Sequence, residues 1–236
     1  MTADRWAETV RHRLGPGRLL PLGGPRDGVW ITEEAAVAVL RGAAGEVGGI
    51  RLDTLRIALA DADDTHDSVV PPPPSALPPG ALRVTARLAA TAVRPLPTTA
   101  ALLRTALGTA ATRRLGLAVT EVDLRVTALL DEEPEPEAVP PVEPPRAGEP
   151  GDGDELRAAS AARRVPGVAR LTRGLGRAVH FEEREQEGGL PYRHARVEIA
   201  VDADHRAVEV AREVRAAVAG ALPDQPTVAV LVTAVG

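Results

Sequence analysis

The chain has 236 residues, a length that suits one large or two small domains, and its hydrophobic content of 44% is typical of a globular protein. The absence of cysteine excludes disulfides and thiolate metal sites, and no apolar run approaches the roughly 20 residues needed to cross a bilayer. All 28 cationic side chains are arginine, yet the net charge is -5 at pH 7, which disfavours a general affinity for nucleic acid.

The first 30 residues are predicted to form a short helix followed by an extended segment. In DRWAETVRHRLG, Trp6, Val10 and Leu14 recur at i, i+4 and i+8, so they share one side of a helix. That side packs on the rest of the protein or docks on a partner, since three apolar residues bury too little surface to hold a helix at a membrane. The N-terminus MTADRWAETV lacks the apolar core of a signal peptide, so we expect a cytoplasmic location.

Residues 31–133 are predicted to form a domain with the element order α-β-β-α-β. Thr32 precedes Glu33 and Glu34 at an acidic helix start. The alternating segments LDTLRIAL and LRVTARLAA indicate two strands, and a helix near 98–114 leads to a third strand in EVDLRVTALL. A Pro-rich insert at 71–80, PPPPSALPPG, interrupts the domain, because proline fits neither a central strand nor the middle of a helix.

A second Pro-rich segment divides the chain at residues 134–151. It begins with PEPEAVPPVEPPRAGEP, which is acidic and has too few apolar side chains to form a core. We expect it to be a disordered linker between two domains.

Residues 152–236 are predicted to form a second domain of the same order. A helix over 154–164 precedes a weak strand near 177–183 and the alternating strand ARVEIAV. Asp204 can cap the amphipathic helix in HRAVEVAREVRAAVAGAL, and TVAVLVTAV forms the last strand. The helix ends VGGI at 47–50 and VPGV at 165–168 also correspond. The fold class predicted is therefore α+β: two tandem small domains, each a three-stranded sheet with two helices, joined by the Pro-rich linker.

The second half resembles the alkaline-shock, general-stress envelope protein family of bacteria. The resemblance rests on VPGV at 165–168, on RHARVEIAVDADHRAVEVAREVRAAVAGAL at 193–222 and on TVAVLVTAV at 227–235. The first half resembles the same domain, with Gly48 in place of the proline. Tandem versions are typical of high-GC actinomycetes, in agreement with the all-arginine composition. The resemblance implies a non-enzymatic cytoplasmic protein that self-associates and is held near the membrane by partner proteins.

No set of residues in the sequence points to catalysis, a metal site or a cofactor. The acidic stretch DADDTHD at 61–67 lacks the glycine and the distal glutamate of an EF-hand loop, so a solvated loop is the simpler interpretation. The segments GPGR at 15–18 and GLGR at 174–177 lack the complete phosphate-binding motifs, and no serine lies in a GxSxG motif. We therefore expect no enzymatic activity.

The last strands of the two halves differ in polarity. In the first half, positions 121, 123, 125 and 127 form a polar face, whereas the equivalent face at 227–233 is nearly apolar. A strand that is apolar on both faces needs cover on both, from the other copy, the N-terminal segment or another chain. The candidate interface residues are therefore Trp6, Val10, Leu14, Ala229 and Leu231.

Two classes of function compete for this sequence. The first is a scaffold or adaptor of cell envelope stress and homeostasis, whose partners are copies of itself, related family proteins or a small membrane anchor protein. The alternative is a small αβ nucleic-acid-binding regulatory module. The net charge of -5, the missing basic GxxG loop and the lack of aromatic side chains on alternating strand positions disfavour the alternative. We expect no direct membrane insertion.

Overall fold

The computed structural model describes residues 17–135, 139–148, 150–151, 153–185 and 189–236. These residues form a mixed α+β structure with four helices and nine strands in two sheets. The helices are α1 (Glu33–Gly45), α2 (Leu96–Thr109), α3 (Asp154–Arg163) and α4 (Ala207–Ala221), and a π-helical turn (Ala110–Leu115) extends α2. The strands are β1 (Leu19–Pro21), β2 (Val29–Thr32), β3 (Ile50–Leu59), β4 (Leu82–Thr91), β5 (Val119–Leu130), β6 (Val168–Leu171), β7 (Val179–Arg184), β8 (Tyr192–Val201) and β9 (Thr227–Val235).

The first sheet has three strands in the order β3-β4-β5. β3 and β4 are antiparallel, whereas β4 and β5 are parallel and are connected through α2. α1 leads into this sheet, and its start agrees with the sequence prediction. The Thr32 hydroxyl accepts a hydrogen bond from the Ala35 amide at 3.2 Å, and Glu33 and Glu34 lie in the first turn.

The second sheet has six strands, with β1-β2-β9-β8-β6 in order and β7 also paired with β8. β6 and β7 pair antiparallel with successive parts of β8, and β8 is parallel to β9. The two sheets therefore share a pattern of strand directions. β8 is antiparallel to β6 and β7 and parallel to β9, just as β4 is antiparallel to β3 and parallel to β5. β6 was not predicted from the sequence, and the predicted Asp204 cap is wrong, since α4 begins after Arg206 without a side-chain cap.

Strands from the N-terminal segment complete the second sheet. β2 lies parallel to β9, with Trp30 opposite Leu231, and β1 lies antiparallel to β2. The sequence predicted three strands in each sheet, which is wrong for the second one. The physical reason is that β2 is a short apolar run, VWIT, with all four residues buried, as expected for a parallel strand covered on both faces.

A hydrophobic core runs through both halves of the chain. α1 packs against β3 of one sheet and β9 of the other. At the surface, Arg212 of α4 makes two hydrogen bonds to the Asp27 carboxylate, at 2.9 and 2.7 Å. Gly116 has a φ of +93° and lies so close to Val208 that a β-carbon at this position would stand 2.3 Å from the valine side chain. The two halves are thus joined by packing and by hydrogen bonds.

The outer face of the second sheet carries a smaller apolar cluster, which contains two of the predicted interface residues. Ala229 and Leu231 are fully buried there against Leu19, Trp30 and Val70. They therefore do not form an open interaction surface. Their cover comes from β1, β2 and the loop before the Pro-rich insert, that is, from this chain. The other predicted interface residues, Trp6, Val10 and Leu14, lie outside the described residues.

Part of the Pro-rich linker is attached to the second sheet. The Ala147 amide donates to the Leu171 carbonyl at 3.3 Å, and the Arg173 amide donates to the Pro145 carbonyl at 3.0 Å. Such backbone pairing at a sheet edge needs no apolar side chains, and disorder of the linker stays a prediction. Residues 136–138, 149 and 152 of the predicted linker lie outside the described residues.

The buried position of Leu231 predicts a large effect on stability. Leu231→Ala should lower the free energy of unfolding by about 2–5 kcal/mol, because it leaves a cavity in the buried cluster beside Trp30. The matched control is Leu129→Ala on β5, whose leucine is 63% exposed and whose loss should change stability by less than about 0.5 kcal/mol. Urea denaturation followed by circular dichroism measures both, and equal effects would contradict the burial of Leu231.

Candidate binding edge of the three-stranded sheet

β5 is the longest described strand, with 12 residues, and it forms one edge of the three-stranded sheet. Val122, Leu124 and Val126 alternate with Glu121, Asp123 and Arg125, so one face is apolar and the other is charged. The chain enters β5 through the left-handed turn at Gly116, which ends the π-helical turn after α2. This turn sets the direction of β5 parallel to β4.

The outer side of β5 has no strand neighbour within the described part of the chain. β9, its counterpart in the second sheet, has β8 on one side and β2 on the other. The difference shows in the apolar faces: Val230 and Val232 of β9 are fully buried, whereas Val126 of β5 is 37% exposed. β5 thus lacks the neighbour that completes the burial of β9.

Backbone groups of β5 are available at this edge. Arg104 of α2 donates from Nε to the Val122 carbonyl at 3.2 Å, so this carbonyl points away from β4. In a parallel strand both backbone groups of a residue point to the same side, and successive residues alternate. The amide and carbonyl groups of Leu124 and Val126 therefore also face outward. One arginine covers one of these carbonyls.

The opposite edge of the same sheet is covered by side chains. Arg41 donates to the carbonyls of Leu52 and Asp53, each at 3.2 Å, and Arg18 donates to the Ile57 carbonyl at 3.1 Å. Arg18 is itself paired with Glu33 at 2.8 Å. These contacts block strand addition at β3, which is how natural proteins protect exposed edges.

The edges of the second sheet differ from β5 as well. β1 is covered by the Pro-rich insert, where the Leu19 amide donates to the Ser75 carbonyl and the Leu77 amide to the Leu19 carbonyl. β6 is bordered by residues 145–147 of the linker. The outer side of β7 is half as long as β5, with six residues. β5 therefore offers the most extended row of backbone groups in the described residues.

The charged face of β5 contains an arginine that forms no ion pair with the described residues. Glu121 and Asp123 both lie near Arg83 of β4, at 2.6 and 3.6 Å. Arg125 instead stands opposite Arg87, and neither forms an ion pair with any described residue. Like charges directly across two strands are unfavourable. An incoming carboxylate beside Arg125 would relieve this repulsion.

The most unusual buried group lies elsewhere, under the GLGR segment. Both carboxylate oxygens of Glu198 accept from the Leu175 amide at 3.1 Å, and Arg196 Nε lies 3.8 Å from one of them. Burial raises the pKa of Glu198 to about 7, against the opposing effects of the Leu175 amide, Arg196 and the Gly174 amide. The turn thus binds an internal carboxylate, so it is occupied by the protein's own side chain.

The remaining titratable groups form no catalytic arrangement in the described residues. Burial lowers the pKa of His194 to about 4, and its ring forms a hydrogen bond with the Thr227 hydroxyl at 2.8 Å. The acidic stretch at 61–67 lies in an exposed loop, and no group of three metal-binding side chains occurs among the described residues. A groove of about 650 Å³ beside α2 is lined by Arg94, Arg113 and Arg114 together with Glu46.

Comparison with known proteins leaves the family open. No family model matches the chain, and no curated protein is significantly similar to it. Among the described residues no helix has the length and apolar character to span a membrane.

Sequence reasoning missed the β5 edge because it compared faces and not edges. The alternation that distinguishes Asp123 and Arg125 from Ala229 and Leu231 was visible in the sequence and describes the two faces correctly. Which strands lie beside β5 and β9 depends on β2, whose pairing with β9 joins distant parts of the chain. The one local signal was the charge on β5, since charged side chains are common on natural edge strands.

The buried carboxyl of Glu198 predicts a specific dependence of stability on pH. Because its pKa is raised from 4.5 to about 7, the folded protein keeps a proton that the unfolded chain releases in this range. The stabilisation is complete below pH 4.5 and is lost as the pH rises through 7. For Glu198→Gln this loss disappears, so its stability relative to the natural protein should rise by about 1 kcal/mol between pH 6 and pH 8.

Urea denaturation at several pH values measures this difference. His194 is present in both proteins, so its opposite contribution below pH 6.5 cancels. The matched control is Glu183→Gln, which makes the same substitution at an exposed position of β7 and leaves the buried carboxyl of Glu198 in place. Parallel pH profiles for Glu198→Gln and the natural protein would show that Glu198 does not titrate in this range.

Proposed function

We propose that the protein is a non-enzymatic scaffold or adaptor of cell envelope stress and homeostasis. It acts by associating with copies of itself and with membrane-anchored partner proteins, and it lies in the cytoplasm, at the inner face of the membrane when a partner holds it there. The observation that carries the proposal is the open edge of β5, beside a second sheet whose corresponding edge is filled. A protein with an extended, unpaired strand has a ready means of binding another chain.

Strand addition explains how such an edge is used. An extended segment of a partner would supply hydrogen bonds to the backbone groups of Leu124 and Val126, and its alternating side chains would meet the two faces of β5. The second sheet offers an internal precedent, because β2 binds β9 in this way and buries Val230 and Val232. A binding role needs no nucleophile, base or metal.

The proposal includes a tandem arrangement of two alkaline-shock-like domains, residues 31–133 and 152–236. Its support is the common pairing pattern: an antiparallel pair followed by a parallel pair, with the last strand reached through a helix in each half. In this interpretation β6 and β7 together correspond to β3, and the segment at 172–178 is an insertion. The main difference between the halves is then that β2 pairs with the outer edge of β9, whereas the outer edge of β5 has no strand neighbour among the described residues.

The alternative, a nucleic-acid-binding module, has less support. The exposed face of the three-stranded sheet carries Arg56, Arg87 and Arg125, but Glu121 and Asp123 lie on the same face. No aromatic side chain lies on β3, β4 or β5 for stacking against bases.

We predict that in-cell crosslinking will identify protein partners at β5. A photo-crosslinking amino acid replaces Leu129, which is 63% exposed on β5, or Val69, which is 67% exposed in the loop before the Pro-rich insert. Position 129 should yield adducts with another copy of this chain or with a membrane-anchored protein, and position 69 should yield few. Equal adducts at both positions, or none at position 129, would contradict a binding role for this edge.

A binding assay separates the two classes of function. At physiological ionic strength the full chain should bind RNA and DNA weakly, and the binding should decrease as salt is added, because only a few arginines are available to displace counterions. Fluorescence anisotropy with short labelled RNA and DNA measures this. Submicromolar, sequence-selective binding would support the nucleic-acid alternative instead.

A further inference from the structure

We propose that the partner at the open edge is β5 of a second copy, paired antiparallel about a two-fold axis at Leu124. This inference rests on the proposed function and specifies its interface. Closed two-fold dimers are the commonest assemblies of identical chains, and their interface uses the same surface on both subunits. A two-fold axis between two edge strands makes them antiparallel, which joins the two three-stranded sheets into one sheet of six.

The charges on β5 select the register. With Leu124 of both copies at the axis, Asp123 of each copy lies opposite Arg125 of the other, so two opposite-charge pairs form. An axis at position 123 places two aspartates together, and an axis at position 125 places two arginines together. An axis at Val122 sets Glu121 against Asp123. The axis at position 123 also pairs Glu121 with Arg125 of the other copy, but at the cost of the two facing aspartates. Of these four registers, only the one centred on Leu124 pairs opposite charges without placing like charges opposite each other.

The backbone agrees with the same register. The outward groups belong to Val122, Leu124 and Val126, as the contact between Arg104 and the Val122 carbonyl indicates. With the axis at Leu124, Val122 stands opposite Val126 of the second copy, and each Leu124 faces its equivalent. Residues with outward groups therefore face one another throughout, as antiparallel hydrogen bonding requires. Arg104 must release one carbonyl, which its exposed side chain permits.

The side chains gain from this pairing on both faces of the sheet. On the apolar face, Val126 is 37% exposed in the single chain and would lie beside Val122 of the second copy. On the charged face, Arg125 would acquire a carboxylate, which offsets its repulsion with Arg87. Because one strand edge buries less surface than a standard interface, the dimer should be weak and should dissociate on dilution.

Charge reversal at two positions tests the register in the full-length protein. Arg125→Asp and Asp123→Arg each place like charges in both cross-strand pairs, so each should weaken self-association on the order of tenfold. Arg125→Asp also replaces a cation opposite Arg87, so its folded state should be as stable as that of the natural protein. The control is Arg56→Asp, on the same face of β3, which should leave association unchanged.

An equimolar mixture of Arg125→Asp and Asp123→Arg provides the decisive test. One copy then carries arginine at 123 and 125 and the other carries aspartate at both, so every cross-strand pair again has opposite charges. Sedimentation equilibrium should show dimers in the mixture at concentrations where each variant alone is monomeric. The double variant Asp123→Arg/Arg125→Asp should associate like the natural protein, and it provides a second test if Asp123→Arg is poorly folded.

Three results would overturn the inference. The first is that the natural protein stays monomeric to millimolar concentration. The second is that the mixture associates no better than either variant alone. The third is that Arg56→Asp loses as much association as Arg125→Asp and Asp123→Arg. A monomeric protein whose position 129 still crosslinks to a membrane-anchored protein would refute the second copy as occupant and leave the proposed function standing. Monomers without any crosslink at position 129 would refute both.

Discussion

The pairing of β2 with β9 is the interaction on which the rest of the structure depends. β2 comes from the N-terminal segment and β9 from the end of the chain, so their parallel pairing connects the two halves through backbone hydrogen bonds. It also places Trp30 beside Leu231, and both are buried in one apolar cluster with Leu19, Val70 and Ala229. Without β2, the buried row of β9 would lose its neighbour along one edge.

The composition of β5 follows from the absence of such a neighbour among the described residues. A strand with an open side cannot be apolar on both faces without becoming an aggregation site, and charged residues on the exposed face limit that risk. In β5 these charges are Glu121, Asp123 and Arg125. They allow pairing only in a register that places opposite charges together. The same residues that prevent unspecific pairing thus define a specific one.

Much of the fold could be predicted from alternation and helix periodicity. Helices α1, α3 and α4 and strands β3, β4, β5, β8 and β9 lie where their patterns indicated them, because alternation and helix periodicity are read within a single segment. Strand β2 was not assigned, since its residues, VWIT, are all buried and show no alternation, and its partner lies near the other end of the chain. For that reason the burial of Leu231 beside Trp30 was beyond sequence reasoning, and the edge position of β5 likewise depends on which distant segments pair.

Amide hydrogen exchange measured by nuclear magnetic resonance tests the contrast between the two edges most directly. At low protein concentration, the amides of Leu124 and Val126 should exchange rapidly because they face solvent, whereas the β9 amides bonded to β2 and β8 should be protected. Raising the concentration should slow exchange at Leu124 and Val126 and leave β9 unchanged. Strong protection of Leu124 and Val126 at every concentration would mean that the β5 edge is already closed, and this result would contradict the account.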